Sequence, residues 1–175
     1  MATRIFNYGE VSDIKMKISE IFARKTTVVS FEVFPPKPEA PFEPVLAAVN
    51  KLSSLRPDFI SVTYGAAGAN RGRTVEIAGH IAVGGIVPLV HLTCIANSPK
   101  ETDGILADLK ERGLRNILAL RGDPPALSAA PPAKVFAKDL VARIKAAGGF
   151  CVAAAAYPEG HLECPDRGLE LYYLK

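Results

Sequence analysis

Cysteine is scarce in this chain and shows no pairing pattern: Cys94, Cys151 and Cys164 are the three among 175 residues, far apart and without a Cys-x-x-Cys spacing. An odd, scattered set excludes a disulfide framework and points to free thiols in a reducing, cytoplasmic setting. No apolar run is long enough to cross a bilayer. Residues 1–17 are polar and mixed in charge, without the apolar stretch of a secretory leader. The net charge of +3 is mild, and no concentrated basic patch marks a nucleic-acid surface. There is no Gly-x-Ser-x-Gly elbow. No lysine falls at a strand end, which argues against Schiff-base chemistry. Gly65, Gly68 and Gly72 do not match the dinucleotide fingerprint. No zinc-like pair of ligand spacings accompanies His161, Glu163, Cys164 and Asp166, so no metal site is expected. What remains is a globular composition, 49% hydrophobic and 22% charged, read as one domain over residues 1–175.

Against that background stand five apolar runs, over residues 26–34, 58–64, 87–93, 116–121 and 149–157. Each ends in polar side chains: Glu32, Thr63, His91, Arg121 with Asp123, and Tyr157 with His161. Successive spacings from Glu32 through Thr63, His91, Arg121 and Tyr157 are 31, 28, 30 and 36 residues. A strand–helix unit needs roughly thirty residues. The runs are nearly continuous in apolar character, as strands covered on both faces are. Helical stripes alternate with them. Val11, Ile14, Ile18, Ile21 and Phe22 predict a leading helix over 11–24. Phe42, Val45, Leu46, Val49 and Leu52 predict a second, and residues 74–83 a third. Ser98, Pro99 and Glu101 spell a capping box with proline at the first helical position, ahead of Ile105, Leu106 and Leu109. Phe136, Leu140, Val141 and Ile144 predict another helix, and residues 167–175 the start of a last one. Residues 65–72 and 124–132 read as loops. Alternating strands and helices imply a parallel sheet. A parallel barrel carries its chemistry at the C-terminal strand ends. The predicted fold is therefore α/β, of the (β/α)8 barrel type, with a leading N-terminal helix and about the first five βα units.

The strand-end residues carry alternative readings. Glu32 lies between aromatic residues and is expected to lose part of its hydration. Desolvation favours the protonated carboxyl, which suits a general acid near neutral pH. A structural ion pair with a basic residue is an equal alternative. Arg121-Gly122-Asp123 is either a ligand-facing turn, where glycine permits close approach, or a strand-end turn with an internal pair. His91 alone reads first as a hydrogen-bonded structural residue, and His80 on its helix as structural.

Together the strings are more specific than any one of them. They are Ser30-Phe31-Glu32-Val33-Phe34-Pro35-Pro36-Lys37, Ser61-Val62-Thr63-Tyr64-Gly65, His91-Leu92-Thr93-Cys94, Leu120-Arg121-Gly122-Asp123 and Ala155-Ala156-Tyr157-Pro158-Glu159-Gly160-His161. In this order and spacing the chain resembles the methylenetetrahydrofolate reductase family. The resemblance implies a barrel that binds FAD, takes hydride from NADH or NADPH, and reduces 5,10-methylenetetrahydrofolate to 5-methyltetrahydrofolate. By position it implies Glu32 as general acid and Asp123 as the carboxylate beside the flavin and the cationic iminium form of the folate. It implies cofactor contacts from Thr63, His91, Arg121, Gly122, Asp123, Ala137, Tyr157, His161 and Glu170. Leu162 stands where the family shows proline, and Glu170 where it shows aspartate. The five runs also stop short of the family's eight strands. The expected partners are the folate, with a second copy or a missing C-terminal half completing the barrel. The alternative is an inactive, truncated member acting as a flavin- or partner-binding half-barrel.

Overall fold

The computed structural model describes residues 16–64, 71–95, 97–123, 135–161, 164 and 166–174. Five strands form one sheet in sequential order: β1 (Ser30–Val33), β2 (Phe59–Val62), β3 (Val87–Thr93), β4 (Asn116–Leu120) and β5 (Cys151–Ala154). Every neighbouring pair is parallel. Six helices alternate with them: α1 (Ile18–Arg24), α2 (Glu43–Ser54), α3 (Arg71–Val83), α4 (Pro99–Glu111), α5 (Ala137–Ala147) and α6 (Arg167–Leu174). This is the partial (β/α)8 arrangement that the thirty-residue period predicts.

Strand alternation sorts the side chains onto two faces. Val33, Ile60, Val62, Val90, Leu92, Ile117 and Ala119 face the helices and build the main core with Ile77, Ile81, Ile105, Leu109 and Ile144. Burying each of these larger aliphatic side chains contributes about 1.5–3 kcal/mol relative to exposure. The opposite face carries Glu32, Phe59, Ser61, Val87, Leu89, His91, Asn116 and Leu118, by the registers Glu32↔Ser61, Ser61↔Leu89 and His91↔Leu118. In a closed barrel this is the interior. Its two ends are chemically unlike. At the N-terminal ends of the strands, Ile18 and Ile21 of α1 seal it against Val87 and Leu89, with Phe59 and Leu118 packed alongside. Towards the C-terminal ends it is polar.

Asn116 pins the seal. Its Oδ1 accepts the backbone N–H of Ile18 at 2.9 Å, and its Nδ2 donates to the carbonyls of Met16 at 3.0 Å and Pro88 at 3.4 Å. Asn116→Ala removes these three bonds from a buried position, where each backbone group left unmet costs about 1–3 kcal/mol. The expected result is a stability loss of roughly 2–4 kcal/mol in urea unfolding, with proteolysis at Arg24 and Lys25 preceding global unfolding. An unchanged urea midpoint would remove Asn116 from this role.

Several boundaries move from their predicted places. The leading helix starts at Ile18 because Lys17 is extended (φ −82°, ψ 139°) in the stretch that Asn116 holds; residues 11–15 lie outside the described set. The first strand is Ser30–Val33, shorter than the predicted 26–34. Before it, Asp58 takes over from the ladder: its carboxylate accepts the Val29 N–H at 2.9 Å and pairs with Lys25. These partners hold the Asp58 carboxyl below the ordinary aspartate range, the Lys25 ammonium contributing most. The fifth strand shortens to Cys151–Ala154, since its β4 partners end at Ala119. The third helix starts at Arg71, so Gly72 is helical rather than loop. The rest of that loop, 65–70, and the predicted loop at 124–132 lie outside the described residues. The capping box forms as spelled, Ser98 N–H donating to Glu101 Oε2 at 2.7 Å and Glu101 N–H to Ser98 Oγ at 3.3 Å. His80 joins α3 to α2 through Asn50 Oδ1 at 2.8 Å, a structural contact.

Candidate active site

Three adjacent strands bring Glu32, Ser61 and His91 together on the inner face. Ser61 Oγ donates to Glu32 Oε2 at 3.1 Å. His91 Nε2 lies 3.4 Å from the same oxygen. Ser61 and His91 are buried, while the Glu32 side chain is 46% exposed. The desolvation expected for Glu32 is thus only partial on this open face. Its titratable neighbour is a histidine rather than a lysine or arginine. His91 also departs from the structural reading, because among the described residues its Nε2 is buried with no hydrogen-bond partner.

Burial, the larger effect, pushes the His91 imidazole below the ordinary 6.5, and the Glu32 carboxylate opposes it. A folded value below the unfolded one means that the unfolded chain binds the proton more readily. The stabilising effect is therefore full above pH 6.5 and is lost as pH falls through the lower, folded value. Urea midpoints measured from pH 7.5 down to 5.5 should fall, and His91→Gln should flatten that part of the curve. A wild-type curve with no descent below 6.5 would contradict this account of the burial.

Around this pair runs a rim of strand-end residues. The Thr63 carbonyl accepts from Thr74 Oγ1 at 3.0 Å, tying the end of β2 to α3. Past β4, Cys94 N–H donates to the Leu120 carbonyl and Ile95 N–H to that of Arg121, both at 3.0 Å, so the β3–β4 ladder outlasts the strands. Gly122 then turns with φ +80°, and a Cβ there would stand 2.9 Å from Thr93 Cβ. The close approach that glycine permits here is to Thr93 and Ile95. Asp123 follows, exposed. Burial raises the Cys94 thiol above its ordinary range, with lesser effects from its own backbone, Asp139 and Arg121.

After β5, Tyr157 and His161 meet edge to face, ring centroids 4.8 Å apart. Gly160 turns with φ +98°, and its N–H donates to the Tyr157 carbonyl at 2.9 Å. Glu170 Oε1 accepts the His161 backbone N–H at 3.0 Å. Arg167 donates to the carbonyls of Pro158 at 3.3 Å and Glu159 at 3.0 Å. Two residues of α6 thus fold the Tyr157–His161 loop against the helix. Ala137 opens α5, next to the helix N-terminus.

Ser61, Arg73 and Arg167 were not singled out by sequence reasoning. Arg73 donates to the carbonyls of Lys37 at 2.8 Å, Pro38 at 2.7 Å and Ala40 at 2.9 Å, and its guanidinium lies over the Phe42 ring. It binds the loop after β1, which carries Pro35 and Pro36. Its sequence signal is slight: an arginine after a run of small residues. Ser61 does have a signal, since strand parity sets it on one face with Thr63 beside a carboxylate strand.

An α/β chain with sequential parallel strands, a plugged N-terminal end and a carboxylate–imidazole pair towards the C-terminal end belongs to the class of barrel enzyme scaffolds. Residues 17–175 match the family model described as methylenetetrahydrofolate reductase. The chain is 42% identical over 171 residues to 5,10-methylenetetrahydrofolate reductase of Pectobacterium carotovorum subsp. carotovorum, covering 97% of this chain and 56% of that protein. It is 41% identical over 148 residues to the protein of that name from Escherichia coli (strain K12), covering 84% and 49%. It is 36% identical over 152 residues to a probable methylenetetrahydrofolate reductase (NADH) of Oryza sativa subsp. japonica, covering 83% and 26%. The chain belongs to the methylenetetrahydrofolate reductase family. It spans about half the length of the bacterial relatives it matches.

Proposed function

We propose that this chain is the flavin-side half of a methylenetetrahydrofolate reductase, working in the reduction of 5,10-methylenetetrahydrofolate to 5-methyltetrahydrofolate with NADH or NADPH as donor. The observation that carries the reading is the Glu32–Ser61–His91 cluster: a carboxyl group, reachable from solvent, held on the inner face towards the C-terminal strand ends.

FAD would supply the hydride chemistry. The residues fit such a group. His91 Nε2 is a buried polar atom with no hydrogen-bond partner among the described residues. Ala137 stands at a helix N-terminus, where backbone N–H groups favour an anion such as a phosphate. Tyr157 is 52% exposed and offers an aromatic face. Thr63, Arg121, Gly122, Asp123 and His161 complete the rim. Glu170 contributes by fixing the backbone of His161.

The remaining chemistry falls to the chain's own groups. Protonated Glu32 donates to a nitrogen of the methylene bridge as the bridge opens, and keeps the negative charge. Asp123 places a carboxylate where the folate turns cationic, so charge is stabilised where it develops. Carboxylates in these two places ask for a folate that gains a proton and passes through a cation. An NAD(P)H–menadione assay with added FAD tests the flavin side of the reading. Menadione-dependent oxidation of NAD(P)H is the expected result. A chain that never oxidises NAD(P)H with FAD present would favour the inactive half-barrel.

A further inference from the structure

The two contacts that the Glu32 carboxylate makes both fall on one oxygen. Ser61 Oγ reaches Oε2 at 3.1 Å, and His91 Nε2 approaches Oε2 to 3.4 Å. Oε1 has no partner among the described residues. The arrangement follows from the parallel register, which pairs Glu32 with Ser61 and Ser61 with Leu89, two residues before His91. Ser61 is buried at 6% exposure, so its hydroxyl has little water to turn to. Its other acceptor, the Phe31 carbonyl, is at 3.5 Å, a much weaker contact. A long, half-exposed glutamate has several rotamers open to it, and ordering one costs side-chain entropy. Ser61 is the nearest donor to it among the described residues.

We propose that Ser61 is the positioning residue of Glu32. Its hydroxyl anchors the carboxylate through Oε2 beside His91 and leaves Oε1 as the oxygen that carries and delivers the proton. The role of Oε1 rests on the folate-reductase reading; the hold of Ser61 on Glu32 does not. Proton balance is simple. Oε1–H gives its proton to the bridge nitrogen, and the carboxylate left behind retains the Ser61 O–H on Oε2.

His91 reports on the anchor. Its neighbours include Glu32 from β1 and, by the strand register, Leu118 opposite it on β4. Glu32 is the one ion-pair partner within 4.0 Å of it among the described residues. A carboxylate held close favours the imidazolium, and one that swings away does so less. The measurement is the His91 titration, followed by imidazole NMR on the whole chain without flavin or folate. Glu32→Gln should move the His91 midpoint down from wild type. Ser61→Ala should move it down part of the way, because the carboxylate is present but no longer anchored. Ser61→Thr, which restores a hydroxyl, should return it towards wild type. If Ser61→Ala does not fold, Ser61→Cys, with its weak donor, carries the same expectation. A wild-type midpoint in Ser61→Ala, or in Ser61→Cys should that be the one that folds, overturns the proposal. A full downward shift in Ser61→Thr does so too. A chain that passes this test but never turns over folate keeps the anchor and loses the reading above. A chain that reduces folate while His91 ignores Ser61 loses the anchor alone.

Discussion

Glu32→Gln is expected to stop folate reduction while leaving the oxidation of NAD(P)H by flavin and menadione near the wild-type rate. The amide has nearly the same shape and still accepts from Ser61 Oγ, so the inner face keeps its packing. What it lacks is the acidic proton. General acid catalysis contributes about 10²–10⁴-fold, and the folate step should fall by that factor. The step from NAD(P)H to flavin involves no protonation of folate and should be spared. That split distinguishes a lost acid from a disturbed fold, which would slow both steps together. Wild-type folate turnover in Glu32→Gln would remove Glu32 from the mechanism. Equal loss of both steps would make it a structural residue.

Gly122→Ala should be the most damaging small substitution at the site. Gly122 holds φ +80°, which costs an L-residue about 1 kcal/mol or more. A methyl group there would also stand 2.9 Å from Thr93 Cβ, 3.0 Å from Ile95 Cγ2 and 3.1 Å from Thr93 Cγ2. Neither neighbour can retreat cheaply, because the Cys94 and Ile95 backbones are tied to the Leu120 and Arg121 carbonyls. Overpacking of this kind costs about 1–3 kcal/mol. The sum is about 2–4 kcal/mol, which for a chain of this size lowers the melting temperature by roughly 5–10 °C. Flanking Arg121 and Asp123 would be displaced with it, so flavin affinity should fall as well. Gly104→Ala is the control. It lies within α4 with nothing within 4 Å of the added methyl, so it should be neutral or stabilising by up to about 1 kcal/mol. Equal melting temperatures for the two variants would contradict the geometry.

The order of the elements was legible in the sequence because each strand lies in an apolar run long enough to stand out between helical stripes. The clearest helix start, at Ser98, was legible because its cap is local: the residues that bond are three apart. Boundaries failed where distant groups decide them. Nothing within residues 26–34 says that Asp58 will take the Val29 N–H, or within 11–24 that Asn116 will hold Met16 and Ile18. The site was legible in its ends and not in its pairs. Strand parity places Glu32, Ser61 and His91 on one face, but only the register between strands brings Ser61 and His91 to the same carboxylate oxygen. Glu170 was expected at the site by resemblance alone, and its bond to the His161 backbone depends on how α6 folds back. Arg73 and Arg167 escaped notice because each binds loop carbonyls, and carbonyls leave no mark in a sequence.

The half-length of this chain relative to its bacterial relatives gives the flavin its weight in the account. Most of the proposed flavin contacts lie on β2 to β5 and the loops that follow them. The most direct measurement is therefore a titration of the purified chain with FAD, read in the visible flavin band and by tryptophan-free protein fluorescence, since the chain has no tryptophan. The account predicts a perturbed flavin spectrum that saturates at one FAD per chain and weakens in Gly122→Ala. A colourless protein that leaves the spectrum of added FAD unchanged would contradict it.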